Sequence, residues 1–208
     1  MPVIAVVGNK GGAGKTTLAV NLAAALARRA STVVLDADPQ GSALQWRAFA
    51  DGRAAVDVLC ATAGIESLVR NAASRHSHVI IDCPPSVHSP QMNAALRIAD
   101  LALIPVQPSP VDLWATVHVE EAVARARESN PELDALVVIN QLEARTVLSR
   151  LMRDAVSELA LPVADTAIRR RAVFRTSALE GKSVMDMGKR GEEAVAELDQ
   201  LINEVLKS

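Results

Sequence analysis

Aromatic residues are almost missing from this chain, which has two tryptophans, two phenylalanines and no tyrosine in 208 residues. Half of the residues are nevertheless apolar, so the core has to be built from Ala, Val, Leu and Ile. That composition suits a parallel sheet covered by helices, because such strands are buried on both faces. Cysteine is as scarce: Cys60 and Cys83 are too few for a disulfide scaffold and point to a reducing, cytoplasmic setting. No apolar run is long enough to span a bilayer, and no signal peptide precedes the first strand. That strand begins at residue 2 or 3, which leaves no room for an N-terminal domain. The chain also lacks a strong charge of either sign. A net charge of −2 gives no global pull toward DNA or membrane, so any such binding has to be local. There is no internal repeat, low-complexity tract or linker, and the length suits one domain over residues 1–208.

What the chain does have is a glycine-rich turn in a telling context. The apolar run Val3 to Val7 reads as a buried strand, and Thr17 to Arg28 reads as an Ala- and Leu-rich helix. Between them stands Gly8-Asn9-Lys10-Gly11-Gly12-Ala13-Gly14-Lys15-Thr16-Thr17. Strand, glycine-rich turn and helix is the setting in which Gly-Lys-Thr signifies a phosphate-binding loop. Glycines let successive N–H groups curl around an anion, and the helix N-terminus adds its partial positive charge. Lys15 is expected at the β- and γ-phosphates, and the Thr16 hydroxyl on Mg²⁺. Asn9 stands where the usual loop has its first glycine, and a second lysine, Lys10, precedes the Gly pair. One lysine already supplies the cationic contact, so the second calls for a separate explanation.

Further along, apolar runs alternate with helical patterns, the mark of repeated βα units. Thr32 to Leu35 reads as a strand ending in Asp36-Ala37-Asp38-Pro39-Gln40-Gly41, with Ser42 as the N-cap of a short helix carrying Trp46. Val56 to Cys60 reads as an edge strand and Ile65 to Ala73 as a helix. Val79 to Ile81 ends in Asp82-Cys83-Pro84-Pro85, so Asp82 closes a strand where a carboxylate can hold a water of hydrated Mg²⁺. The proline pair stiffens a loop placed to sense the γ-phosphate. Leu101 to Val106 is a strand stopped by Pro105 and Pro108, and Val111 to Glu128 a helix. Leu136 to Ile139 ends at Asn140, Thr146 to Leu159 is an amphipathic helix, and Pro162 to Ile168 is the last strand. Helices at Ala172 to Glu180 and Glu192 to Leu206 finish the chain. Arg169, Arg170, Arg171 and Arg175 cluster near Lys182, Lys189 and Arg190, as candidates for phosphate oxygens or for an ordinary solvated face. The last helix has one apolar face, which packs on the domain, and an acidic polar face, which suits a membrane surface poorly.

Lys10 to Thr16 matches Lys-Gly-Gly-x-Gly-Lys-Thr, and with Asp36 to Gln40 and Asp82 to Pro85 the chain resembles the deviant Walker A ATPases of the ParA/MinD family over essentially its whole length. The resemblance implies an α/β P-loop NTPase fold, a mostly parallel twisted sheet covered on both faces by helices. It implies ATP and Mg²⁺, with nucleotide contacts from Lys10, Gly11, Gly12, Ala13, Gly14, Lys15, Thr16, Thr17 and, for adenine, Asn140. Metal contacts fall to Thr16, Asp38 and Asp82, and catalysis to Lys10, Lys15 and Asp38. In that family the first lysine crosses to a partner subunit, so Lys10 implies a homodimer in the ATP state. Asp38 is expected to position the attacking water, while Asp36 assists the metal or holds the loop. Lysine lacks the planar fork of an arginine finger, so turnover is expected to be slow. The stretch Pro105 to Asp112 looks like that of short partition ATPases and serves as switch relay or dimer contact. By the same resemblance Arg169, Arg170, Arg171 and Arg175 grip non-specific DNA, placing the protein on the nucleoid. A ParB-like or cargo-adaptor protein would stimulate hydrolysis while a plasmid, chromosome origin, carboxysome or protein cluster is positioned. The alternatives are a MinD-like membrane regulator, which the acidic tail disfavours, and a P-loop small-molecule enzyme, which Lys10 disfavours. An iron–sulfur subunit would need other cysteine contexts, and a tyrosine autokinase would need tyrosines.

Overall fold

A computed structural model describes residues 2–50, 55–143 and 159–207. Seven strands form one sheet in the order β3-β2-β4-β1-β5-β6-β7, and every neighbouring pair runs parallel. They are β1 Val3–Val6, β2 Thr32–Asp36, β3 Asp57–Cys60, β4 His78–Asp82, β5 Leu101–Val106, β6 Asp134–Leu142 and β7 Ile168–Arg169. Among the described residues the α-helices are α1 Lys15–Ala27, α2 Ser42–Ala48, α3 Ile65–Ala73, α4 Pro90–Leu96, α5 Pro110–Arg127, α6 Ala172–Leu179 and α7 Glu192–Val205.

The alternation along β1 explains the two-layered core. Val3, Ala5 and Val7 belong to the cluster that holds Val69 of α3, Met92 and Leu96 of α4 and Val123 of α5. Ile4 and Val6 join Leu22 and Leu26 of α1 and Leu198 and Ile202 of α7 on the other side. Side chains of opposite parity leave opposite faces of a strand, so a continuous apolar run serves both layers. Helix α1 lies between sheet and α7, and its Ala19, Ala23, Ala24 and Ala25 are all buried. Small side chains let these elements approach closely, which is how a core with few rings is filled. As expected, α7 packs its apolar face on the domain through Ala194, Leu198, Leu201, Ile202 and Val205.

Several local expectations need correction. Ser42 is the first residue of α2, and Gly41, with φ 65°, takes the N-cap position. Pro105 does not stop β5 but lies inside it, opposite Val138. The Val7 N–H reaches the Leu103 carbonyl at 3.0 Å, so odd-numbered residues of β5 direct their backbone groups toward β1. By Pro105, β1 has already turned into loop, and no N–H is demanded there. The expected last strand, Pro162 to Ile168, is reduced to one bridge at Val163 and the two residues of β7. Strand β6 extends to Leu142, with Asn140 inside it and an irregularity between Asn140 and Leu142. Gln141 causes that irregularity through its φ of 59°, the one positive φ outside glycine among the described residues. The helix expected at Thr146 to Leu159 falls, except for Leu159, outside the described residues.

A segment after α6 ties two layers together. The Trp46 indole of α2 donates to the Lys182 carbonyl at 2.9 Å, and the Val184 N–H donates to buried Asn21 Oδ1 of α1 at 2.8 Å. Gly181, at φ +63°, lies so near α2 that an added Cβ would stand 2.3 Å from the Phe49 carbonyl carbon. Gly181→Ala is therefore expected to cost on the order of 2 kcal/mol or more of stability in urea unfolding. Gly188→Ala, at φ +55° in open space, carries only the left-handed penalty of roughly 1 kcal/mol. Equal losses at the two positions would rule out the close approach as the cause.

Candidate functional site

The C-terminal ends of β1, β2, β4, β5 and β6 converge on the glycine-rich loop, where open parallel sheets place ligands. The loop runs from the end of β1 to Gly14, which caps α1 in the left-handed region at φ 89° with no side-chain cap and no acidic residue in the first turn. The α1 N–H groups thus face the loop without a protein anion, as a phosphate site requires. Glycine suits position 14 by its φ of 89°, and an added Cβ, 2.4 Å from Asn140 Nδ2, would push that amide aside. Lys15 is buried, and its ammonium donates to the Lys10 carbonyl at 2.9 Å. Burial lowers its pKa, while the charges of Asp82 and Asp38 oppose that shift.

The loop carbonyls are captured from outside. Gln107 Nε2 and Gln141 Nε2 both donate to the Gly12 carbonyl, at 2.5 and 3.0 Å. Asn140 Nδ2 donates to the Ala13 carbonyl at 2.7 Å. The amide expected at adenine is thus already engaged in holding the loop, although Asn140 still lines the neighbouring cavity. Asn9 Oδ1 accepts from the Val87 N–H at 3.3 Å, which joins the loop to the segment after Pro84-Pro85. Sequence reasoning missed Gln107 and Gln141. Only the Gln-Pro-Ser-Pro-Val-Asp stretch signalled the first, and nothing signalled the second.

Three carboxylates behave differently. Asp36 is fully buried and accepts from the backbone N–H groups of Asp38 at 3.2 Å and Leu44 at 2.9 Å. Of the two roles open to it, this places it as the holder of the loop; burial raises its pKa against those hydrogen bonds. Asp38 is half-buried, and its Oδ1 accepts from the Gln40 N–H at 2.9 Å. Asp82 is completely buried, and neither of its oxygens completes a hydrogen bond. Burial pushes its pKa up to about 7, opposed by the Thr16 hydroxyl, which acts without meeting hydrogen-bond geometry, and reinforced by Asp36. Two orphaned buried oxygens beside a hydroxyl and a lysine fit a hydrated Mg²⁺, which takes few protein ligands and several waters. No cluster of three or more His, Cys, Asp or Glu that could hold a metal occurs among the described residues, in keeping with so sparse a site.

Beside the loop opens a cavity of about 300 Å³ with Leu18, Ile168 and Phe174 as apolar lining and Asn140 and Gln141 as polar groups. Its rim carries Arg169, Arg170, Arg171 and Arg175, which is where the sequence-predicted cluster falls. The cluster is not a free basic patch. Arg170 meets Glu143 at 2.6 Å, Arg171 meets Glu197 at 2.6 Å and also Glu193, and Arg169 meets Glu197 at 3.7 Å. Arg175 is exposed and forms no ion pair among the described residues. On the far side of the loop Lys10, 45% exposed, reaches Asp112 Oδ1 at 3.0 Å, and Asp112 is only 6% exposed.

A family model described as the CobQ/CobB/MinD/ParA nucleotide binding domain matches residues 4–184. A protein of Halothiobacillus neapolitanus called maintenance of carboxysome distribution protein A is 39% identical, over 99% of this chain and 96% of its own. Among solved structures, a plasmid partition protein of Borrelia burgdorferi bound to AMPPNP superposes with a TM-score of 0.76 at 17% identity, covering 99% of this chain and 98% of that one. Cobyrinic acid a,c-diamide synthase of Mycobacterium smegmatis, with an ATP analogue and magnesium, reaches a TM-score of 0.76 at 23% identity over 97% of this chain and 94% of its own. At these identities the two structures bear on the fold alone.

Asp82 also sets a pH response. Its carboxyl favours the protonated form in the folded state, about 7 against an ordinary 3.8. The folded protein therefore binds more protons than the unfolded chain between those values, and stability is lost as pH rises through that window. In metal-free protein, Asp82→Asn should become more stable relative to the parent as pH climbs from about 4 to 7, with no further gain above. Urea midpoints across that range check this; a constant difference would show that Asp82 ionises without penalty.

Proposed function

The chain belongs to the CobQ/CobB/MinD/ParA nucleotide-binding family, and on that footing we propose that it is a ParA-like ATPase that pairs on ATP and positions a cargo along DNA. The ParA/MinD-like fold and the ATPase class come with the family; pairing, DNA and cargo are the proposal. One observation supports it above the rest. The two loop lysines have separate fates, Lys15 buried against the loop and Lys10 held outside it by Asp112. A cation kept outside its own cradle is available to a nucleotide bound elsewhere.

The geometry supports a role for each residue within this reading. The N–H groups of Gly11 to Thr17 surround the β- and γ-phosphates, and Lys15 neutralises them. Mg²⁺, when bound, spreads the charge of the phosphate oxygens. Thr16 would ligate the ion, and Asp82, with two buried oxygens lacking a hydrogen bond, would hold one of its waters. Asp38, half-buried where Asp36 is fully buried, orients the attacking water and supports the metal shell. The cavity beside the loop takes the base, with Asn140 in its wall. Lys10 reaches the nucleotide of a second copy, and as a point charge it stabilises the transition state less than an arginine fork would. Release of the cargo follows hydrolysis, which a ParB-like or cargo-adaptor protein stimulates. The extent of the Halothiobacillus match, nearly the full length of both chains, favours the carboxysome among possible cargoes.

DNA binding has to be narrowed. Arg169, Arg170 and Arg171 would each have to leave a carboxylate to meet a phosphate, so Arg175, with no ion pair among the described residues, is the member of the cluster best placed for the contact. Pairing of two copies would double this surface.

Lys10→Gln should retain nucleotide binding but stay monomeric in light scattering with Mg²⁺ and a non-hydrolysable ATP analogue; an intact dimer with normal turnover would sink the reading. Arg175→Glu should weaken ATP-dependent binding to random-sequence duplex DNA. Its salt slope should be shallower by about 0.9 for each phosphate that the variant leaves unneutralised. An unchanged slope would remove Arg175 from the DNA surface.

A further inference from the structure

The polar side chains around the cavity beside the loop divide into those already engaged and one that is not. Asn140 is 5% exposed, and both ends of its amide are taken. Its Nδ2 donates to the Ala13 carbonyl at 2.7 Å, and its Oδ1 accepts from the Gln141 N–H at 3.0 Å. Gln141 has one end engaged: Nε2 donates to the Gly12 carbonyl at 3.0 Å, while Oε1 accepts from no donor among the described residues. The rim arginines carry donors alone, and Thr17 stands in the first turn of α1, beside the phosphate cradle. Among the described residues, Gln141 Oε1 is therefore the unengaged amide acceptor in the wall.

The backbone is bent to put it there. Consecutive residues of an extended strand send their side chains to opposite faces, yet Asn140 and Gln141 both reach the glycine-rich loop, on neighbouring carbonyls. The φ of 59° at Gln141 makes this possible, and left-handed strain in a residue with a side chain gathers at ligand sites. Gripping the loop does not by itself require it, since Gln107 already donates to Gly12. With Nε2 fixed on that carbonyl, the other arm of the same planar amide is turned away from it. Leu18, Ile168 and Phe174 offer apolar surface to the faces of a purine, and the edge of the purine needs a polar partner. Adenine carries a donor amino group where guanine carries an acceptor oxygen. We propose that Gln141, rather than Asn140, selects adenine, its Oε1 accepting from the exocyclic amino group. Asn140 is then a positioning residue, which holds the Ala13 carbonyl and the Gln141 backbone. This rests on the reading that the cavity takes the base, and adds the group that tells one base from another.

The test is equilibrium competition against a fluorescent ATP analogue, on the full chain with Mg²⁺. The parent should bind ATP roughly fivefold or more tightly than purine riboside triphosphate, the same molecule without the amino group. GTP should bind more weakly than either. Gln141→Gly, which suits the left-handed φ, should bring the ratio between ATP and purine riboside triphosphate close to one. Should that variant fail to fold, Gln141→Asn carries the same expectation, because asparagine tolerates this φ and draws the amide back by one methylene. A role confined to the loop would weaken both nucleotides alike and leave the ratio where it was. A ratio that survives the substitution overturns the inference, gives the amino group to another acceptor and leaves the base cavity standing; a parent ratio of one overturns it as well. A parent that binds tripolyphosphate as tightly as ATP removes the cavity reading and this inference together.

Discussion

A peptide plane that directs its N–H into an anion cradle directs its carbonyl away from it, and a carbonyl withdrawn from water has to be met by a donor. At the C-terminal edge of the sheet buried Ala13 makes that demand, and exposed Gly12 is gripped beside it. Gly12 receives two amide donors, from Gln107 before α5 and Gln141 in β6, and Ala13 receives one from Asn140. Gln141 adopts φ 59° in a region that costs a side-chain-bearing residue roughly 1–2 kcal/mol. The strain is offset locally, because the same bend lets its N–H meet Asn140 Oδ1 at 3.0 Å. The loop is thus shaped as much by what grips it from outside as by its glycines.

Charge at the site is arranged by the same matching of partners. Asp36 and Asp82 end neighbouring strands in direct register, and both are fully buried. Two carboxylates so placed cannot both ionise without a large penalty. Backbone N–H groups satisfy Asp36, so the penalty falls on Asp82, whose oxygens have nothing to accept from. Lys15 relieves part of it, but its own burial works against its charge. A divalent cation with its waters would answer the unmet acceptor, and a polyphosphate would answer the lysine and the helix N-terminus. The pocket has complementary needs that one metal–nucleotide pair meets together.

How much of this is legible in the sequence depends on whether the cause is local. Strand–loop–helix contexts and apolar runs give α3 and β5 their ends, because those signals sit within a few residues. Pro105 reads wrongly as a stop, since its tolerance depends on β1 having ended beside it, a fact about another segment. Gly41 displaces Ser42 as cap because a left-handed residue turns the chain after Asp38. The last strand shrinks because residues 162–168 pair with β6 only at Val163 and Ile168, an outcome of packing that periodicity does not encode. The arginine run looks like a free patch because the carboxylates that neutralise it, Glu143, Glu193 and Glu197, are more than twenty residues away in sequence. Asn140 falls at the right end of the sheet, but its immediate partner, the Ala13 carbonyl, belongs to a segment 127 residues distant.

The two lysines show how one turn supports two electrostatic problems without mixing them. Lys15 is fixed by burial and by a carbonyl five residues back in its own loop, so it has no alternative position at low cost. Lys10 has one, because almost half of its side chain is in water, although leaving takes the counter-charge from a buried carboxylate. Asp112 is the less free partner. It is buried, yet Ser109 Oγ donates to its Oδ2 at 2.5 Å, so departure of the lysine does not strip it of every hydrogen bond. A pair in which the acid keeps a hydrogen bond and the base is half in water still favours the home position, because the buried acid needs the charge. On the reading proposed above, a triphosphate offered by another copy then needs to outweigh that contact, and without it Lys10 stays where its charge is already answered.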